Sequence, residues 1–147
     1  ETAMGLIKRG NALVADDFTC VRKDVANNTL FASASSATRN YMEIRGIGII
    51  NVQSVFGVTA VCDEKRLDMV ITLKSMEEVN GELARAGVDR LTTSILGVEI
   101  PEVVIPVSAG RDLVNLVEVA AQQQKLRRAG YDAAYELDEH LKRRAHT

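Results

Sequence analysis

Tryptophan is absent from these 147 residues, and aromatic side chains make up only 4% of them; there are two cysteines, two histidines and two prolines. Each scarcity excludes something. Cys20 and Cys62 lie far apart and outside any CxxC pattern, so they build no disulfide framework and suit a reducing, cytoplasmic setting. His140 and His146 both fall near the end of the chain, too few and too local for a histidine-rich metal centre. No apolar run reaches the length of a membrane span, and the first residues lack the apolar core of a secretory signal, so no membrane partner is expected. An excess of one charge is missing too. Lys and Arg total 18 against 20 Asp and Glu, a net charge of −2, which gives no electrostatic basis for binding nucleic acid. The basic stretches "KLRR" and "HLKRR" interleave with acidic and apolar residues at helical spacing and read as solvated helix faces.

What is present is ordinary globular material, 46% hydrophobic and 26% charged. The length supports one domain, residues 1–147, with a real core. Thr2 to Arg9 carries Ala3, Met4, Leu6 and Ile7 at helical spacing, stopped by Gly10. A chain that opens inside a helix is expected to be part of something longer. "ALVA", Ala12 to Ala15, predicts a short buried strand ending in Asp16-Asp17. "FTCV" and "TLFA" predict two strands joined by the turn "DVANN", and Ser33 to Ser36 a polar loop. "VTAVC" and "LDMVITL" predict a strand pair around the charged turn "DEKR". Met76 to Gly87 reads as a helix or a connection. "SILGVEIPEVVIPV" predicts an extended segment near a sheet edge, because of Pro101 and Pro106. Asp112 to Arg128 and Tyr131 to Arg144 have the spacing of two amphipathic helices separated by Gly130. The architecture is therefore mixed α and β, with strands in the middle and helices closing the end.

Three stretches carry chemistry-bearing groups. Asp16 and Asp17 end an apolar strand, where one acid is placed to serve a reacting hydroxyl while the other holds a metal or a neighbouring group; a plain turn also favours Asp there. In "MEIRGIGIINVQSVFG", Glu43 and Arg45 are two apart, which on an extended segment puts them on one face, with Ile44 toward the core. A carboxylate of this kind can ligate Mg²⁺ and an arginine can offset phosphoryl charge, while Gly46 and Gly48 let backbone come close to a ligand; a surface ion pair beside a turn is the plainer reading. "PVSAGRD", Pro106 to Asp112, leads into a helix whose free N–H groups, with Arg111, suit an anion, or serve only as a cap.

The order and wording of "ETAMGLIKRGNALVADD", "MEIRGIGIINVQSVFG" and "ILGVEIPEVVIPVSAGRDLVNLVEVAA" resemble the catalytic domain of the bifunctional HPr kinase/phosphorylase family, from Glu1 to about Ala134. The resemblance implies an α/β, P-loop-containing kinase-like domain with a mixed central sheet and two C-terminal helices. It implies an enzyme that uses ATP or pyrophosphate with Mg²⁺ to phosphorylate a serine of the phosphocarrier HPr. The same enzyme removes that phosphate by phosphorolysis. By the resemblance Asp17 is the acid–base group, Asp16 its supporting neighbour, Glu43 a Mg²⁺ ligand, and Arg45 and Arg90 bear on phosphate charge. Pro106, Val107, Ser108, Ala109, Gly110 and Arg111 form the loop used chiefly in dephosphorylation. The family's Walker A loop is expected immediately before Glu1, and a hexamer is the expected assembly. Ser108 stands where the family has a basic residue. A regulatory scaffold of the same fold that binds HPr-like partners without catalysis is the alternative.

Overall fold

The computed structural model describes residues 1–79 and 91–145. Helix α1 (Thr2–Lys8) buries Ile7, and it stops where the spacing predicts. Gly10 takes φ +98°, a left-handed conformation that only glycine adopts without cost. The Arg9, Gly10 and Asn11 N–H groups close the helix onto the Leu6 and Ile7 carbonyls at 3.0–3.1 Å. Past that stop, Leu13 alone adopts the expected extended pairing. Its N–H donates to the Ala60 carbonyl at 2.8 Å, and its carbonyl accepts from the Cys62 N–H at 2.9 Å, a single parallel bridge beside Val61.

Strands β1 (Thr19–Asp24) and β2 (Thr29–Ala34) form the predicted hairpin. Its turn is set by Asp24, whose carboxylate accepts from Ala26 N–H at 3.2 Å and from the Asn27 amide at 2.9 Å. Ser33 and Ala34 belong to β2 rather than to the polar loop. Strands β3 (Tyr41–Ile44) and β4 (Gly48–Asn51) make a second hairpin, followed by the short helix α2 (Val52–Phe56), which Asn51 caps by accepting the Ser54 N–H at 3.1 Å.

The expected strand pair across "DEKR" is not what forms. Val58–Ala60 is a 3₁₀ turn, and the charged stretch itself is strand β5 (Glu64–Arg66), paired with β2 through Phe31, Ala32 and Ser33. All three β5 residues are exposed, as suits a charged edge strand that discourages further pairing. Strand β6 (Val70–Ser75) instead pairs parallel with β8 (Val98–Val107), and β7 (Leu91–Ile95) pairs with β8 antiparallel. Helix α3 (Met76–Val79) follows β6.

The proline-bearing segment is thus the central strand of the β6-β8-β7 sheet, not an edge. Its prolines are tolerated because the neighbours are staggered. Pro101 faces Thr92 of β7 just before pairing with β6 begins at Glu102, and Pro106 faces Lys74 of β6 beyond the last β7 partner. Each missing N–H therefore falls where β8 has one partner strand among the described residues.

Helices α4 (Leu113–Arg128) and α5 (Ala133–Ala145) close the chain as predicted, with Gly130 at φ +96° between them. Among the described residues the strands are divided among three ladders, β1-β2-β5, β3-β4 and β6-β8-β7, and the last is the mixed sheet. Two apolar clusters hold them. One joins Ile7, Leu13, Met42, Val52 and Ala60; the other joins Leu30, Val98 and Ile100. Leu30 and Val52 are fully buried, each contributing about 1.5–3 kcal/mol of transfer free energy. Leu13 and Met42 tie the first cluster to two of the chemistry-bearing stretches, the one ending in Asp16-Asp17 and the one carrying Glu43.

Candidate active site

Two chain segments meet above that first cluster. Leu13, held by its bridge to Val61, delivers the bend at Asp16-Asp17, and Met42, buried at 4% exposure, fixes β3. Besides their shared packing in that cluster, one hydrogen bond links them: the Glu43 N–H donates to Asp16 Oδ2 at 3.1 Å. The N–H that bonds Asp16 is not bonded to β4, so it leaves β3 on the strand's other edge. Asp16 is half-buried, whereas Asp17 and Glu43 are exposed. Among the described residues neither the Asp17 nor the Glu43 carboxylate has a hydrogen bond or ion pair, which leaves both free to meet a ligand.

Arg45 does not share a strand face with Glu43. Strand β3 ends at Ile44, and Arg45, Gly46 and Ile47 form the hairpin turn, closed by the Ile47 N–H donating to the Ile44 carbonyl at 3.1 Å. Three residues must reverse the chain here, so extended geometry cannot persist to Arg45. Gly46 at φ +84° and Gly48 at φ +105° supply the backbone conformations this turn needs, and a Cβ on either would meet open space. Arg45 stands exposed at the tip, with no ion pair to Glu43 among the described residues.

The stretch 106–112 also divides. Pro106 and Val107 are the last residues of β8, opposite Lys74 and Ser75, so the loop proper begins at Ser108. The Arg111 N–H donates to the Ser108 carbonyl at 3.3 Å, and Gly110 takes φ +83°. Asp112 is the N-cap of α4 and accepts the Asn115 N–H at 3.2 Å, so one free N–H of the helix start is already satisfied by the chain's own carboxylate. Ser108 is half-buried, and Ala109, Gly110 and Arg111 are exposed. Among the described residues no hydrogen bond or ion pair joins this loop to Asp16, Asp17 or Glu43. Arg90 lies outside the described residues.

No group of three or more His, Cys, Asp or Glu forms a ready metal cage among the described residues. Mg²⁺ does not require one; it is commonly held through one or two carboxylates, with water and substrate phosphates completing the shell. The unengaged Glu43 carboxylate fits that role. The one contact that sequence reasoning missed is Asp16 to the Glu43 backbone. The two residues are 27 apart, and a backbone donor leaves no mark on residue type.

Residues 1–141 match the family model described as the HPr Serine kinase C-terminal domain. The chain belongs to that family. Relatives named HPr kinase/phosphorylase include one from Leptospira biflexa, 42% identical over 142 residues that cover 96% of this chain and 44% of the relative. Another, from Caldicellulosiruptor bescii, is 43% identical over 143 residues, covering 97% of this chain and 45% of the relative. The chain thus spans less than half the length of these relatives. A solved structure titled as the Hpr(Ser) kinase/phosphatase from Coxiella burnetii superposes with a TM-score of 0.76 at 32% identity, covering 92% of this chain and 81% of that one. The family match bears out the resemblance, and the likeness to that solved structure bears out the kinase-like α/β fold. Among the described residues no helix is long and apolar enough to cross a membrane, and both cysteines are free thiols.

Proposed function

We propose that this chain is the catalytic part of a protein-serine kinase/phosphorylase acting on HPr or an HPr-like phosphocarrier in the cytoplasm. The observation that carries the reading is the convergence of the Asp16-Asp17 bend and Glu43 on one edge of β3, in a chain matching the HPr kinase family along 141 residues. In this mechanism the exposed Asp17 carboxylate takes the proton of the substrate serine as the serine oxygen attacks the donor's terminal phosphorus and ADP, or phosphate when pyrophosphate is the donor, leaves. In phosphorolysis it returns that proton to the leaving serine oxygen, because microscopic reversibility requires one group for both directions. Mg²⁺, when bound, neutralises charge on the transferring phosphate. Glu43 is the residue here that would hold it.

Arg45, at the tip of an open turn, supplies a guanidinium to the phosphate oxygens, and Gly46 and Gly48 keep side chains out of its way. The stretch Pro106 to Arg111 takes inorganic phosphate in the reverse reaction, and Arg90 bears on phosphate charge. ATP or pyrophosphate is the donor. Helix α5 has no buried residue, and Leu137 and Leu141, one turn apart, are 58% and 56% exposed. This apolar stripe is the contact we assign to a homo-oligomer, a hexamer by family pattern.

The test is serine phosphorylation of HPr by the full-length protein, followed by mass spectrometry across an Mg²⁺ series, with Glu43→Gln alongside. The reading predicts transfer by the wild type and a higher Mg²⁺ requirement in the variant. Binding of HPr with no transfer from either donor would replace it with the scaffold reading.

A further inference from the structure

Asp16 and Asp17 are neighbours in sequence but are engaged differently. Asp17 is exposed and unpartnered among the described residues, whereas half-buried Asp16 spends one carboxylate oxygen on the Glu43 N–H at 3.1 Å. We infer that Asp16 is a positioning residue: its carboxylate ties the bend to the open edge of β3 and thereby fixes the backbone from which the Glu43 side chain projects. The inference rests on the reading of Glu43 as the Mg²⁺ ligand.

The contact has the form of a strut between two anchored points. On one side, Leu13 is held by two backbone hydrogen bonds, to Ala60 and Cys62, and packs in the first apolar cluster. On the other, Met42 is buried in the same cluster, and Ile44 packs against it. Among the described residues the strand from Met42 to Ile44 has β4 along one edge only. Without Asp16 the Glu43 N–H would lose the partner it has there, and the strand end beside a glycine-bearing turn would be held from one side. A carboxylate accepting a backbone N–H makes a strong, short-range tether, and groups that orient a metal ligand in this way tune metal affinity without touching the metal.

The role needs an acceptor oxygen, not a charge, which separates it from a second acid–base or a second metal ligand. Asparagine keeps such an oxygen and alanine does not. In the full-length protein, Asp16→Ala is expected to raise the Mg²⁺ concentration for half-maximal transfer by about 10–100-fold, with a smaller change in kcat at saturating Mg²⁺. Asp16→Asn is expected to stay within about threefold of wild type, since its amide oxygen still accepts the N–H.

Hydrogen exchange at the Glu43 amide gives a readout independent of activity. It should speed up by about tenfold or more in Asp16→Ala and stay near wild type in Asp16→Asn. Far-UV circular dichroism confirms that both variants are folded at the assay temperature. Equal losses in Asp16→Asn and Asp16→Ala would overturn the inference in favour of a charge role, as would unchanged Glu43 exchange in Asp16→Ala. If wild-type protein transfers no phosphate, the proposed function fails by itself, and Glu43 exchange with Mg²⁺ calorimetry on the same variants still decides the role of Asp16.

Discussion

Gly5 sits in the middle of α1 facing α4, and a Cβ built there would lie 2.4 Å from Val114 Cγ2 and 3.3 Å from its Cγ1. No real pair of carbons approaches that closely, so in Gly5→Ala one helix must move or Val114 must leave its rotamer. Valine is stiff at χ1, and overpacking of this kind costs about 1–3 kcal/mol. Against it stands the helix-propensity gain of alanine over glycine, about 1 kcal/mol. The net single-variant effect is therefore modest destabilisation. The decisive quantity is the coupling. In a Val114→Ala background the Cγ atoms are gone, and Gly5→Ala should become stabilising by up to about 1 kcal/mol, giving an interaction energy of about 1–3 kcal/mol between the two sites. Urea unfolding of the four proteins, followed by far-UV circular dichroism, measures it. Additive effects of the two substitutions would refute the close approach of α1 to α4, which the Arg9–Glu118 ion pair at 3.6 Å also spans.

Asp112→Ala removes the N-cap of α4 and should cost about 0.5–2 kcal/mol in the same unfolding assay; no change would mean that water or the loop satisfies the Asn115 N–H equally well. The hydrogen bond from Arg22, with its charge, holds the Glu64 carboxyl below the usual glutamate range, and Asn27 does the same for Asp24. Such stabilisation is present above the ordinary carboxylate value and lost as pH falls through the depressed one. Wild type should therefore lose more thermal stability than Glu64→Gln between neutral pH and about pH 3, by a small margin because the pair is exposed. Parallel melting curves would contradict that. Ser108→Arg adds a cation to the loop after β8 and is expected to raise phosphorolysis more than kinase activity, in paired assays on HPr and its phosphoserine form. Equal gains in both directions would remove Ser108 from the phosphate-binding role.

The helices were legible because their signals are local. Gly10 and Gly130 end α1 and α4 where the spacing of Leu6, Ile7 and the α4 apolar set predicts, and the β1-β2 hairpin follows from "DVANN" between two apolar runs. What the sequence hid was long-range pairing. Glu64–Arg66 looks like a turn because three charged residues carry no period, yet β2 waits for them some thirty residues earlier. The prolines of β8 argue for an edge, and only the stagger of β6 against β7 shows how a central strand accommodates both. At the site, Asp16, Asp17 and Glu43 were all readable by residue type, but Arg45 was misplaced because Gly46 and Gly48 turn the chain one residue earlier than an extended reading allows. The Asp16 contact to a backbone N–H was beyond any reading of side chains alone.

In the proposed mechanism one exposed carboxylate, Asp17, serves both directions of phosphate transfer. Asp17→Asn should therefore be compared with wild type in serine phosphorylation of HPr and in phosphorolysis of the phosphoserine form, each at saturating Mg²⁺. Loss of about 10²–10⁴-fold in both rates, with folding intact, is the predicted result. Loss in one direction only, or turnover retained in both, would contradict it.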